Sequence, residues 1–447
     1  MPRIHPSSTP KDRQRLTAVE LFCGAGGMAL GFEQAGFDVL ASVDADPVHL
    51  AAHERNFPLC EPVCGDISEI GANELVEAAR RGWNRRYPRA PFAEPIDCIF
   101  GGPSCQGFSV IGPRRQDDPR NALVAQFARL VVEMRPRWLV MENVPGLVSP
   151  AYRPTLDAFY QTLRAAGYQV AEPWTLNARD HGVPQVRKRV FVVGAYEGEP
   201  LPIEPPAQPN PPTVAEALGD LPALARFRTL RERDALILRD DQFASMLRRQ
   251  SGYVRRLNGL ERDRDDLADQ RDWDARLLTS VGVASHSDAV VARLRRLRLG
   301  ERDEVGRLPK LDPRGLSPTL RAGTGRDHGS FTSARPIHYS SPRVIAVREA
   351  ARLHGFPDWF GFHATKWHGF RQVGNAVPPP LARAVARAVV EAARVDPPRR
   401  TGEPLSLGSA ALLGMTMGEA AERYGLDPKS LPVNVRALAA RKTGKAA

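Results

Sequence analysis

Short apolar strands alternate with helical patterns through the first half of this chain. Apolar segments typical of buried strands occur at LTAVELF, FDVLASVD, residues 96–100, RWLVMEN and RVFVVGAY, and helical patterns separate them. Strands joined by crossover helices form parallel β-α-β units. The sequence therefore predicts an α/β fold around a mainly parallel sheet, in which ligands bind beyond the carboxyl ends of the strands.

The alternation stops at the proline-rich segment EPLPIEPPAQPNPP, because proline cannot continue a sheet. The following residues, to about 340, are rich in Arg and Asp and weakly periodic, whereas PRVIAVREAARLHGF and LARAVARAVVEAARV restore helical periodicity. The predicted division is a flexible N-terminus (1–15), a ligand-binding domain (16–199), a smaller irregular domain (200–340), a return to the first domain (341–395) and a basic C-terminal appendage (396–447).

Composition places the chain among soluble globular proteins, with 42% hydrophobic and 25% charged residues. No apolar stretch has the length of a membrane span, and MPRIHPSSTPKDRQR lacks the apolar core of a signal peptide, so we expect a cytoplasmic protein. The odd number of cysteines, 5, argues against a disulfide framework. Cys60 and Cys64 lack a second zinc-type pair, so no metal is predicted. The net charge of +11 fits either an arginine-rich composition or a polyanionic partner.

A glycine cluster with Gly24, Gly26 and Gly27 follows the first strand and opens a helix. Glycines there allow a tight turn and the close approach of a ligand. Asp44 ends the second strand, where an acidic residue can bind ribose hydroxyls. Asp66 lies where it would suit an adenine amino group, and Phe22 could stack on the ring. These side chains predict a nucleoside site, and NAD, FAD and S-adenosylmethionine all remain open at this point.

Cys105 and Glu142 each follow the carboxyl end of a predicted strand. In an open parallel sheet these positions converge, so a nucleophilic thiol and a carboxylic acid would meet beside the nucleoside site. The alternatives are an inert buried cysteine and a carboxylate that caps a helix.

Motifs in this order resemble those of the DNA cytosine-5 methyltransferase family: FCGAGG, GGPSCQGFS, ENV, PQVRKR, REAARLHGFPD and QVGNAVPP. They span most of residues 16 to 395 and leave out the region before the late motifs and the tail. The resemblance implies a Rossmann-like S-adenosylmethionine-dependent methyltransferase fold with a target-recognition domain at 200–340. It also implies S-adenosyl-L-methionine as cofactor rather than NAD.

The resemblance assigns catalytic roles to Cys105, Glu142, Arg187 and Arg189. The Cys105 thiolate would add to C6 of a cytosine flipped out of the duplex, while protonated Glu142 would bind N3. Arg189 would contact the base carbonyl oxygen and orient Glu142, with Arg187 beside it. Residues 107–120 would close over the flipped nucleotide.

Further residues follow from the motifs. The implied cofactor-binding set is Phe22, Gly24, Gly26, Gly27, Asp44, Asp66, Pro103, Asn375 and Ala376. Ala45 departs from the family pattern, which often has a bulky residue there, so adenine packing would depend on Pro47 and Phe22. The implied DNA-binding set is Gln106, Ser109, Arg114, Arg115, Arg120, Gln185, Thr319, Leu320 and Arg321.

Other segments leave alternatives open. Arginines in the middle region either contact DNA bases or pair with the interleaved aspartates. The basic aromatic stretch RRGWNRRYPRAPF, residues 80–92, is either a phosphate contact or a solvated surface insertion. The tail is either a helix-turn-helix or an amphipathic packing segment.

We therefore expect a sequence-specific DNA (cytosine-5) methyltransferase of restriction-modification or phage defence. Expected partners are double-stranded DNA and a cognate restriction or defence system, with no membrane, and the enzyme is expected to be a monomer. A tRNA cytosine methyltransferase is one alternative. A DNA-binding regulator with a vestigial methyltransferase fold is another, although Cys105, Glu142, Arg187 and Arg189 all argue against it.

Overall fold

The computed structural model describes residues 15–92, 94–103, 122–261, 263–323 and 335–427. An 8-stranded sheet lies at its centre, in the order β3-β2-β1-β4-β5-β8-β6 with β7 beside β8. Strands β3 to β5 in this order are parallel, and β8 runs antiparallel to its neighbours. The α/β class and the mainly parallel sheet are therefore confirmed. The strands are β1 (Leu16–Leu21), β2 (Phe37–Asp44), β3 (Glu61–Cys64), β4 (Cys98–Gly101), β5 (Trp138–Asn143), β6 (Tyr168–Val170), β7 (Trp174–Asn177) and β8 (Lys188–Tyr196).

Neighbouring residues of a strand point to opposite sides of the sheet. Because both faces of the sheet carry apolar side chains, helices cover both of them. Ala18 of β1 belongs to one apolar cluster and Val19 to the other. No helix in the described ranges is both long and apolar enough to cross a membrane. The helices of this part are α1 (Gly27–Ala35), α2 (Pro47–Asn56), α3 (Ala72–Arg86), α4 (Ala122–Met134) and α5 (Arg153–Ala165).

The middle region consists of short elements that pack on the later helices. Its apolar residues Val214 and Leu224 share one buried cluster with Val347 and Ala350 of the returning chain. Buried Arg352 also ties the two parts together, at 2.5 Å from Asp220. The elements are α6 (Val214–Leu218), β9 (Ala235–Ile237), α7 (Asp240–Arg249), α8 (Gly252–Leu257), β10 (Arg271–Asp272), β11 (Leu277–Thr279) and α9 (Asp288–Arg296).

The chain then returns to the first domain through α10 (Val347–Leu353), α11 (Lys366–Asn375) and α12 (Pro379–Ala393). Helix α12 lies directly against α1. A Cβ on Gly31 would be 2.5 Å from Ala382 Cβ and 2.6 Å from the Pro379 carbonyl oxygen. Only glycine therefore allows the two helices to approach this closely.

The structure changes the interpretation of the basic aromatic stretch at residues 80–92 where it forms part of α3. Residues 80–86 form the second half of α3 rather than a surface insertion, and Trp83 is 7% exposed. Arg86 donates to Asp269 at 2.8 Å. The middle-region segment around residue 269 thus packs on the first domain, and this arginine pairs with protein rather than with phosphate.

The described part of the tail packs on the first domain. Strand β12 (Leu405–Ser406) pairs with β10, and α13 (Met417–Arg423) lies against α2. The Tyr424 hydroxyl donates to Glu54 at 2.7 Å, and Arg423 forms an ion pair with the same carboxylate. The described residues of the tail therefore form an amphipathic packing segment rather than a helix-turn-helix.

Candidate active site

The loop between β1 and α1 has an unusual backbone. Phe22, Gly24 and Gly26 have φ of 58°, 55° and 98°. For a non-glycine residue such as Phe22, this left-handed conformation costs roughly 1–3 kcal/mol and commonly marks a ligand-binding turn. A Cβ on Gly24 would have no neighbour within 4 Å. The loop therefore offers open space beside its backbone, where a ligand can approach.

Asp44, at the end of β2, is fixed beside this loop. Its Oδ2 accepts from the Gly24 N–H at 2.7 Å, and its Oδ1 accepts from the Asp46 N–H at 2.8 Å. Burial raises the pKa of Asp44, an effect that His49 opposes and Asp46 strengthens. The carboxylate is oriented and half-buried, and its remaining lone pairs suit the hydroxyl donors of a ribose.

Asp66 and Ala45 border the same end of the sheet and are exposed. Asp66 Oδ1 accepts from the Ser68 N–H at 2.9 Å and from its hydroxyl at 2.7 Å. The turn is thereby held in place while the Asp66 carboxylate remains accessible to a ligand.

Glu20 and His53 are buried beside the loop between β1 and α1, and they were not identified from the sequence. Glu20 Oε1 accepts from the Ala29 N–H at 3.2 Å, and Glu20 Oε2 lies 3.1 Å from His53 Nε2. Burial raises the pKa of Glu20 well above its usual value and lowers that of His53 to about 3. Burial therefore disfavours the charged form of both side chains. The glutamate in the apolar strand AVELF was the available signal.

Asn143 binds the chain at Pro103, after the end of β4. Asn143 Nδ2 donates to the Pro103 carbonyl oxygen at 3.1 Å, and Asn143 Oδ1 accepts from the Val144 N–H at 2.9 Å. These bonds join the ends of β4 and β5. Several predicted residues lie outside the described ranges: Cys105, Gln106, Ser109, Arg114, Arg115 and Arg120.

Glu142 and Arg189 meet at the same edge of the sheet. Arg189 Nε lies 2.8 Å from Glu142 Oε1. Burial raises the pKa of Glu142, while the positive charges of Arg189 and Arg187 oppose the rise. A Cβ on Gly102 would lie 2.7 Å from Glu142 Oε2, so the second carboxyl oxygen faces the glycine just before the predicted nucleophile. The arrangement suits a carboxylic acid that donates a proton towards that side.

Arg187 and Gln185 lie in the interior, both 0% exposed. Arg187 donates to the Leu320 carbonyl oxygen at 2.7 Å and to that of Gly374 at 2.8 Å. Gln185 Oε1 accepts from the Leu320 N–H at 3.0 Å. The prediction that Gln185 contacts DNA is therefore not supported, since its amide is used inside the protein. Arg187 therefore joins distant chain segments through their carbonyl oxygens.

Residues 319–321 divide between surface and interior. Thr319 and Arg321 are exposed, whereas Leu320 is 4% exposed. The Thr319 hydroxyl donates to the Val186 carbonyl oxygen at 2.7 Å. Thr319 and Arg321 are thus available for a partner, and Leu320 anchors them through its backbone.

The C-terminal end of α11 with the turn that follows it, residues 374–376, closes the other side of the site. A Cβ on Gly27 would lie 2.5 Å from the Val377 carbonyl oxygen and 2.9 Å from Ala376 Cβ. The late turn is therefore packed against the start of α1. Asn375 is exposed at this position, next to the loop that carries Gly24 and Gly26.

Comparisons with known proteins agree with this arrangement. The family model described as C-5 cytosine-specific DNA methylase matches residues 16–391. Type II methyltransferase M.XorII of Xanthomonas oryzae pv. oryzae is 44% identical over 416 residues, covering 92% of this chain and 93% of that protein. Type II methyltransferase M.AgeI of Thalassovita gelatinovora is 31% identical and covers 84% of this chain and 99% of its own length.

Solved structures share the fold. An E. coli prophage protein described as a DNA modification methyltransferase has a TM-score of 0.66 at 32% identity, covering 85% of this chain and 99% of that one. The Entamoeba histolytica methyltransferase EhMeth has a TM-score of 0.52 at 13% identity, covering 85% and 99%, a similarity that concerns the fold alone.

Proposed function

We propose how the residues of this chain act, given that it belongs to the C-5 cytosine-specific DNA methylase family. It is a DNA (cytosine-5) methyltransferase of the type II restriction-modification class. The proposal is that the chain flips a cytosine out of double-stranded DNA and methylates it through a covalent bond from Cys105 to C6. The observation that carries the catalytic assignment is the 2.8 Å contact between Arg189 and buried Glu142 beside Gly102.

We propose S-adenosyl-L-methionine as the methyl donor, which supplies an electrophilic methyl group on its sulfonium sulfur. The residues suit it. The open space beside Gly24 admits a ligand to the backbone, and fixed Asp44 offers acceptors to ribose hydroxyls. Phe22 and Asp66 would contact the adenine, and Asn375 the methionine part. The remaining members of the proposed set are Gly26, Gly27, Pro103 and Ala376.

Cytosine C5 becomes nucleophilic only when C6 gains an electron pair. The Cys105 thiolate would form the S–C6 bond while Glu142 donates a proton to N3, which gives an enamine. Once C5 has gained the methyl group, the C5 proton leaves to water, the S–C6 bond breaks and N3 returns its proton to Glu142. Arg189 keeps Glu142 in position and would contact the base carbonyl oxygen.

Recognition of the DNA sequence is assigned to residues 200–340, with exposed Thr319 and Arg321 as proposed base or backbone contacts. Many arginines of this region pair internally, such as Arg239 with Asp241 at 3.0 Å and Arg293 with Asp303 at 2.6 Å. Because those side chains already have acidic partners, we assign DNA contact to the residues beside the catalytic edge. A cognate restriction partner and a monomeric enzyme complete the proposal.

Bisulfite sequencing of DNA from cells that express the chain tests this function. We expect fully protected cytosines within one short sequence, and none when Glu142→Gln is expressed at the same level. In parallel, radioactive methyl transfer to purified duplex DNA and to total tRNA is measured. Label in tRNA with none in DNA would contradict the proposal and favour the RNA-directed alternative.

A further inference from the structure

His354 lies immediately after α10, is 0% exposed and has two polar partners. Its Nδ1 lies 3.0 Å from Gln185 Nε2, and its Nε2 lies 2.9 Å from the Ala376 carbonyl oxygen. An amide nitrogen donates and a carbonyl oxygen accepts, so Nδ1 is the acceptor and Nε2 carries the proton. Burial and the positive charge of Arg187 lower the pKa of His354 well below its usual value, which agrees with a neutral ring.

Two further buried side chains hold the same region. Gln185 and Arg187 bind both backbone groups of Leu320: the N–H at 3.0 Å and the carbonyl oxygen at 2.7 Å. Arg187 also donates to the carbonyl oxygens of Gly374 at 2.8 Å and Ala376 at 2.9 Å. His354, Gln185 and Arg187 are therefore one hydrogen-bonded group, called here the Gln185–Arg187–His354 cluster.

The cluster joins two surface segments that serve different ligands in the proposed function. One is the recognition stretch, residues 319–321, whose Thr319 and Arg321 are exposed. The other is the cofactor turn, residues 374–376, whose Asn375 is exposed. The segments also touch directly, because a Cβ on Gly374 would be 2.4 Å from the Arg321 carbonyl carbon. A shift of either backbone must therefore move the shared hydrogen bonds or the other segment.

We propose that His354 is a positioning residue that couples the recognition stretch to the cofactor turn, so that DNA and the cofactor strengthen each other's binding. This inference rests on the proposed function, since it takes DNA as the ligand of the first segment and S-adenosyl-L-methionine as the ligand of the second. His354 acts through Gln185 on Leu320 and through its own Nε2 on Ala376. Coupling between two sites must be equal in both directions.

Three substitutions separate the two hydrogen bonds of His354: the one with Gln185, called the Gln185 branch, and the one with Ala376, called the Ala376 branch. His354→Phe keeps a flat ring of similar size beside Phe356, whose ring lies 5.8 Å away and nearly parallel, but it removes both polar partners. His354→Asn keeps an acceptor near the position of Nδ1 and so preserves the Gln185 branch. His354→Gln keeps a donor near the position of Nε2 and so preserves the Ala376 branch. In all three, Ala376 and Gln185 retain other partners, so the fold should persist.

The experiment measures the Kd of S-adenosyl-L-homocysteine by calorimetry, with and without a saturating duplex that contains the sequence found by bisulfite sequencing. The probe cannot donate a methyl group, so no turnover occurs. We expect the duplex to tighten binding to the wild type by a factor within about 5- to 150-fold, the usual range of such coupling. In His354→Phe this factor should fall at least about twofold, while the bonds of Arg187 to both segments keep part of the coupling. His354→Asn should weaken the probe without DNA by roughly 3- to 10-fold, whereas His354→Gln should leave it near the wild-type value.

The outcomes are distinguishable. A wild type that binds neither probe nor duplex contradicts the proposed function itself. A wild type that binds both, with a coupling factor that His354→Phe leaves unchanged, overturns the inference and leaves the function standing. The inference is also overturned if the wild-type coupling factor is 1. It is overturned as well if all three variants lower Tm equally without changing the coupling factor, because His354 would then have a purely structural role.

Discussion

Arg189 Nε lies 2.8 Å from Oε1 of Glu142, and its Nη1 donates to the Lys188 carbonyl oxygen at 2.8 Å. The other carboxyl oxygen faces Gly102. A guanidinium donates hydrogen bonds and accepts none, so Oε1 is the acceptor for Arg189 and Oε2 is the oxygen that suits proton donation in the proposed function. The pair thus orients the acid as well as holding it.

Replacing Glu142 by Gln should lower methyl transfer by about 100- to 10,000-fold, because the amide cannot deliver a proton to N3. Cofactor affinity should stay close to the wild-type value, as Glu142 acts in the transition state. Single-turnover rates and calorimetric Kd values measure the two effects. A large loss of cofactor affinity in this variant would contradict the assignment.

The pH profile of Arg189→Gln gives a second prediction. Arg189 lowers the pKa of Glu142, so its removal should raise that pKa. Because the acid must be protonated, activity falls as pH rises through its pKa, and the remaining activity of the variant should fall at a higher pH than in the wild type. Rates between pH 6 and 10 check the shift. Arg153→Gln, an exposed arginine paired with Asp157 on α5, is the control and should leave the profile unchanged.

Duplex DNA with 5-fluorocytosine at the target tests the proposed Cys105 step. Fluorine cannot leave as a cation, so elimination is blocked and the enzyme should remain attached to DNA through the S–C6 bond. The adduct should resist denaturation on a gel and require S-adenosyl-L-methionine. It should disappear in Cys105→Ser, because a hydroxyl of far higher pKa is a poor nucleophile. Undiminished adduct in that variant would exclude Cys105 as the nucleophile.

Gly374→Ala should weaken cofactor and DNA binding together. Its Cβ would lie 2.4 Å from the Ala322 nitrogen, and backbone at that distance has to move. The Arg187 bond to the Gly374 carbonyl oxygen would be disturbed as well. Gly71→Ala is a matched control, since no atom lies within 4 Å of its Cβ position and its φ is −94°. Equal affinities of the two variants for both ligands would contradict this prediction.

Acid should destabilise the fold through His53. Burial lowers its pKa from 6.5 to about 3, so below pH 6.5 the unfolded chain takes up a proton that the folded chain does not. Taken alone, this group lowers the free energy of unfolding by about 2 kcal/mol at pH 5, while the raised pKa of Glu20 acts in the opposite direction. His53→Gln should lower Tm at pH 7.5 but show a smaller further drop at pH 5 than the wild type. A drop of equal size would contradict the lowered pKa of His53.

The sequence predicted the sheet, because strand ends and glycine turns leave clear patterns. The contact between Glu142 and Arg189 was harder. A parallel β8 would begin at the opposite edge of the sheet, far from the end of β5, whereas the antiparallel pairing sets Glu142 beside Phe191 and Asn143 beside Val190. The apolar pattern of β8 is the same in both directions, so only the family resemblance indicated this contact.

Buried polar groups escaped sequence reasoning for a different reason. Gln185 lies in a segment predicted to contact DNA, and His354 lies at the end of a predicted helix. Their partners are backbone groups far along the chain. Their burial depends on the packing of the middle region against α10, which no local pattern encodes. Gln185 was therefore predicted to contact DNA, although its amide binds Leu320.

The packing of α12 on α1 has a consequence for synthesis. A ribosome releases α1 first and α12 only after the whole middle region, so the face of α1 around Gly31 has no partner until residues near Ala382 emerge. The loop with Gly24 and Gly26 opens that same helix, and the turn that closes over it precedes α12. The middle region is therefore made before the first domain is complete. A chain interrupted before α12 would lack the helix that packs against Gly31, so the helix that follows the glycine loop would have no partner on that face.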